Sequence, residues 1–304
     1  MKFIKSVPMA LCGLALALAA LGNLLLPYGE NIRYLCGVLS AITLVVFALK
    51  VFLDFPHARE ELKTPIPFSV FPTSTMALML LCTYIKPFIG NAAIYLWYAA
   101  VVLQIGMMLL FFKQFLIGFK LGTVFPSWFI VFVGLVVASV TAPAMNARPL
   151  GQVIFYVGFV FYFVALSLVV SRMVKVKTLP EPARPTIAIF AAPMSLCIVG
   201  YFNSFEQKNE AIVYAMLAIA VISYLYVTVM MFSLLRIKFY PTYAAFTFPY
   251  VISAIAFRLG NGFLVERGIT FFAPFAQISV WLAVAIVLYV LVHYVKFFWF
   301  WLKF

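Results

Sequence analysis

Ten apolar runs of roughly twenty residues, each long enough to span a bilayer, constrain this chain more than any other feature. They fall at 6–26, 31–53, 67–85, 91–112, 125–140, 150–171, 185–201, 211–235, 240–259 and 272–295, and the connections between them are short and rich in Pro, Gly and Asn. Short connections make consecutive helices antiparallel hairpins. The reading is an all-α polytopic membrane protein, ten transmembrane helices forming one domain over residues 1–304. No segment outside the runs is long enough to fold alone.

Composition agrees: 66% of the residues are hydrophobic and 10% charged, against about 25% charged in a soluble domain. A net charge of +13 raises nucleic acid as a partner, yet the basic residues are scattered between apolar runs with no aromatic-interleaved basic patch. The charge reports topology instead. On the side of the N-terminus the ten-run scheme places 15 Lys and Arg, and on the other side 6. By the excess of basic residues in cytoplasmic loops, both termini face the cytoplasm and the protein sits in the cell (inner) membrane. The opening Met1-Lys-Phe-Ile-Lys5 resembles the start of a signal peptide, but the run that follows holds the first copy of a repeated proline and reads as a span.

That proline recurs in every odd-numbered run: Pro8, Pro72, Pro126, Pro193 and Pro249, spaced 54 to 67 residues apart. Odd helices all run in one direction, so the prolines share one side of the bilayer or its middle. The simplest arrangement is five hairpin repeats with an inner ring of five proline-kinked helices around a central pore and the even helices outside. Small and polar residues accompany the prolines, among them Gly13, Ser74, Thr75, Ser127, Ser195 and Ser253. Such residues either allow close helix contact or leave room for a pore, and the sequence leaves both readings open.

The runs hold no Asp, Glu, Lys or Arg away from their ends. Proton relays and many ion-coupled carriers use such groups, so passive permeation is favoured. Enzymatic readings lack their chemistry: no paired carboxylates, no HExxH and no phosphate-binding glycine loop. Cys12, Cys36, Cys82 and Cys197 lie in different runs without a CxxC pair, and read as buried packing residues rather than disulfides or metal ligands. Neither a cofactor nor a metal is expected. For the permeant, a helix broken at proline offers N–H groups that attract anions, and basic residues at the mouths add to that preference.

Three stretches resemble a known family. Arg184-Pro-Thr-Ile-Ala-Ile-Phe-Ala-Ala-Pro-Met-Ser-Leu-Cys-Ile-Val-Gly-Tyr201 is similar to the seventh helix of the tellurite-resistance/dicarboxylate transporter family, which includes TehA and the slow anion channels of plant guard cells. Ala245-Phe-Thr-Phe-Pro249 resembles its ninth helix and Phe125-Pro-Ser-Trp-Phe129 the start of its fifth. The resemblance implies a homotrimer of independent pores, each plugged by a phenylalanine of the ninth helix whose place matches Phe248. It implies small anions as permeants. The alternative is a carrier of a C4-dicarboxylate such as malate, of sulfite, or of tellurite-related anions. The chain departs from the TehA pattern at Pro249, where similar sequences can carry glycine.

Overall fold

The computed structural model describes the backbone of residues 2–303 and the side chains of residues 3–300, so the side chains of Lys2 and Lys303 in the basic count lie outside the described residues. Those residues fold into helices without a strand. Nine segments are long and apolar enough to cross a bilayer: Leu11–Tyr28, Glu30–Leu53, Pro65–Ile89, Asn91–Phe115, Arg148–Lys175, Glu181–Ser204, Glu210–Leu234, Pro241–Val265 and Ala273–Phe300. The fifth of the ten expected spans is present in pieces, as helices Trp128–Val133 and Val136–Thr141 followed by a 3₁₀ turn, Ala142–Met145. The helix is interrupted at Gly134, the residue after Val133. A Cβ there would collide with the Ile130 carbonyl and stand 2.8 Å from Met76 Sδ.

The ten spans form two concentric layers. First packs on third, third on fifth, fifth on seventh, seventh on ninth, and the ninth closes on the first. Burial follows that order. Between 67% and 89% of the membrane-length windows of the first, third, seventh and ninth spans is buried, against 28% to 39% for the even spans. Outer helices carry an apolar stripe outward: Leu35, Val38, Ile42 and Val45 recur at three- and four-residue spacing and are all exposed, the pattern of a helix whose second face meets lipid. The Phe3 and Phe298 rings meet at a tilt with centroids 5.4 Å apart, so both ends of the described chain share one face, the terminal face.

Each recurring proline sits at the start of a helix rather than in its interior. Pro8 precedes helix Leu11–Leu25, Pro72 caps Thr73–Ile89, Pro126 precedes Trp128–Val133, Pro193 is second in Ala192–Ser204 and Pro249 third in Thr247–Val265. In a first turn the missing N–H forfeits no intrahelical bond, which is why these positions tolerate proline. The kink is thus made by a change of element. A separate lead-in on the terminal face precedes the main helix, and in the seventh and ninth spans it is 3₁₀, Glu181–Ala191 and Pro241–Phe246. Eleven residues is long for a 3₁₀ run. The two lead-ins brace each other: Thr242 Oγ1 donates to the Pro182 carbonyl at 2.6 Å, and Tyr240 Oη to Glu181 Oε1 at 3.2 Å.

A tight turn at each junction also takes up one of the N–H groups that a broken helix was expected to present. Leu11 N–H donates to the Pro8 carbonyl (3.1 Å), Ser74 N–H to Phe71 (3.0 Å) and Trp128 N–H to Phe125 (2.9 Å). Ala192 and Thr247 N–H reach Ile189 and Ala244 in the same way.

Gly134→Ala is expected to lower the unfolding free energy by about 1–3 kcal/mol, the usual penalty for forcing volume into a packed contact. Thermal unfolding in detergent checks it, with Gly106→Ala as control, because a Cβ at Gly106 meets nothing within 4 Å.

Candidate functional site

The five odd spans enclose two cavities, one above the other along the ring axis. The first lies near the terminal face, among residues of all five spans that include Gly13, Thr73, Phe129, Pro193 and Pro249. It offers about 50 Å³, room for one or two waters. Its hydroxyls are turned away from the space: Thr73 Oγ1 reaches the Val70 carbonyl at 2.8 Å, Thr186 Oγ1 that of Ala183 and Thr242 Oγ1 that of Pro182, both at 2.6 Å. What remains is an apolar constriction, in which an ion would lose its hydration with nothing in exchange.

Toward the opposite face the second cavity opens to about 310 Å³, again walled by all five odd spans. It is more polar, with Asn23, Arg33, Thr83, Thr141 and Asn203 on its wall. Leu196 and Phe248, alone among the described residues, line both cavities. Phe248 is 8% exposed, held by a helix whose neighbouring positions Phe246 and Tyr250 are buried in the protein.

The other residues singled out from the sequence divide into two groups. Gly13, Pro193 and Pro249 line the terminal-face cavity, and Gly13 also lets Ala244 of the ninth span approach, since a Cβ on it would stand 3.4 Å from Ala244 Cβ. Pro8, Pro72 and Pro126 lie at the helix starts without lining either cavity.

The polar residues stitch the ring together. Ser69 bonds Ser127 (2.6 Å) between third and fifth spans, Ser139 meets Ser204 (3.0 Å) between fifth and seventh, and Ser195 meets Ser253 (3.0 Å) between seventh and ninth. Thr73 Oγ1 lies 3.0 Å from Cys12 Sγ between first and third, and Arg258 closes the ring by donating to the Leu24 carbonyl at 2.6 Å. Thr75 bonds Gln104 of the fourth span, and Ser74 caps its own turn at the Phe71 carbonyl, 2.7 Å away. Buried hydroxyls satisfied in this way hold register between helices at about 1 kcal/mol each.

Leu196 carries no sequence signal of its own in a chain so rich in aliphatic residues. Its one trace is a position three residues beyond Pro193, on the same helical face. Leu196→Ala is expected to increase ion flow severalfold where flow is measurable, and less than truncation of Phe248, because the ring remains. Single-channel conductance in planar bilayers reads the difference.

One cation of the terminal face is paired inside the protein. The Lys50 side chain is fully buried and bonds Asp54 at 2.6 Å, with Glu61 at 3.5 Å. Its ammonium group holds the Asp54 carboxyl below the usual carboxylate range.

A closed ring of five inner helices, sheathed by five outer ones with apolar surfaces and enclosing two cavities, defines a multi-pass membrane protein. Residues 4–295 match the family described as voltage-dependent anion channel, and the chain belongs to that family. It is 27% identical over 219 residues to the S-type anion channel SLAH3 of Arabidopsis thaliana; the match covers 69% of this chain and 34% of that protein. The chain therefore spans about a third of the length of that curated relative.

Proposed function

We propose that this protein conducts small anions along the axis of the five odd spans, and that Phe248, backed by Leu196, closes the path at rest. The observation that carries the reading is the shared wall: both residues border a cavity on each side, and the constriction they head is too small and too apolar for a hydrated ion. Family membership supports anions as the permeant. So does the absence of a carboxylate from both cavity walls, since a fixed negative charge would repel an anion where water is scarce. Gly13, Pro193 and Pro249 serve as pore lining, whereas the serines and Thr75 act by fixing the helices that form it.

The protein is placed in the cytoplasmic membrane with both termini inside, on the basic-residue excess, and assembles as a homotrimer of separate pores, as the family resemblance implies. The test is the reversal potential in planar bilayers under a chloride gradient and then a malate gradient. A potential near the equilibrium value of the anion is expected. Flux that saturates and exchanges with internal substrate, without current, would replace the channel by a dicarboxylate or sulfite carrier, for which two cavities flanking one occlusion are an equally serviceable layout.

A further inference from the structure

Arg33 is a guanidinium on the wall of the 310 Å³ cavity with no carboxylate partner among the ion pairs of the described residues. Its position is built with care by the fold. The first and second spans close around Tyr84 of the third: a Cβ on Gly22 would collide with Tyr84 Oη and stand 2.8 Å from the Arg33 carbonyl, and one on Gly37 would lie 2.6 Å from the Tyr84 ring. Tyr84 Oη donates to the Ala19 carbonyl at 2.5 Å, and its face carries the Arg33 guanidinium 4.2 Å above the ring. Nε donates to Asn23 Oδ1 at 3.0 Å and Nη2, more weakly, to the Thr83 carbonyl at 3.4 Å.

Those two bonds use two of five N–H donors, and neither of them involves Nη1. Three other polar residues of the wall already hold protein partners. Asn203 donates to the Val140 carbonyl (2.8 Å), Thr83 to that of Leu80 (2.7 Å), and Thr141 accepts from the Trp97 indole (2.7 Å). Elsewhere on this face Arg267 pairs with Glu210 at 2.8 Å and Arg148 with Glu206, while Arg258 donates to the Leu24 carbonyl at 2.6 Å. A half-buried cation with spare donors and no counter-ion, facing a roomy cavity, calls for an anion from solution.

We propose that Arg33 binds a small monovalent anion on its free Nη1 edge in this cavity and concentrates it on the side of Phe248 away from the termini. A planar oxyanion with two acceptor oxygens fits the guanidinium edge best, since both of its bonds then run parallel. Only the role in permeation rests on the channel reading; binding does not.

The test separates the two. Purified protein is melted in detergent across a nitrate series, with gluconate holding ionic strength constant. The melting temperature of the wild type is expected to rise saturably with nitrate, as mass action requires of a ligand held by the folded state. In Arg33→Gln the nitrate-dependent rise disappears, corresponding to an apparent dissociation constant raised by at least about tenfold. Arg33→Lys keeps the charge but loses the planar pair of donors, and is expected to raise that constant severalfold, giving a second readout should the glutamine variant fail to fold. A nitrate response absent from the wild type, or equal in wild type and both variants, overturns the site. The second result would leave Arg33 as a brace for Tyr84 and Asn23 whose loss lowers stability equally in both salts. An Arg33-dependent response in a protein that passes no current keeps the site and removes the channel.

Discussion

Phe248→Ala is expected to raise anion conductance by at least about tenfold, equivalent to removing about 1.4 kcal/mol from the barrier at the constriction. The ring borders both cavities, so its removal joins about 50 Å³ on one side to about 310 Å³ on the other through the space it vacates. Water can then follow the ion, and much of the desolvation penalty disappears. The helix is expected to survive. Phe248 faces open space on two sides, unlike Phe257 four residues from Ser253, which is fully buried and whose truncation would lose about 3–5 kcal/mol. Phe248→Leu should fall between the wild type and alanine, since a shorter side chain leaves part of the plug. Conductance that stays at the wild-type level in a properly folded Phe248→Ala protein would remove the ring from the closed state.

Tyr84→Ala should destabilise the protein by about 3–5 kcal/mol, the range for emptying a large aromatic site in a packed core. Tyr84 is 4% exposed and fills the notch that Gly22 and Gly37 leave between the first two spans. Neighbouring backbone cannot close that notch, because the first span is pinned against the third and ninth. Tyr84→Phe keeps the ring and loses only the bond to Ala19, for about 0.5–1.5 kcal/mol. Unfolding in detergent measures both. Equal losses in the two variants would show that the hydroxyl, and not the fit of the ring, holds these helices together. The alanine variant should also weaken the nitrate response, since it removes the surface on which Arg33 rests.

Much of this architecture was legible in the residues. Span number, hairpin order and the common side of the two termini follow from length, apolarity and connection length, which are local properties of the chain. The five in-phase prolines pointed to an inner ring because repetition marks equivalent positions. Phe248 became a candidate through the motif around it, one phenylalanine among 34.

Other features could not be read in this way. In a soluble protein an amphipathic stripe tells which face of a helix turns inward, but here lipid and protein interior are both apolar, so the stripe is nearly erased. That is why Leu196 escaped notice, and why the sequence left pore lining and close contact unresolved for Ser127, Ser195 and Ser253. The structure turns each of these serines toward another helix, where a hydroxyl in a dry interior finds its partner. The prolines were read as kinks within helices that expose N–H groups; the fold instead begins each helix near its proline and takes up one of those donors at each junction in a tight turn. The sequence by itself determined a ten-span membrane protein with a repeated inner element, because the bilayer acts on length and hydrophobicity alone. Only the tertiary structure decided which side chains face the axis and left Arg33 with an open edge, because both depend on contacts between residues far apart in the chain.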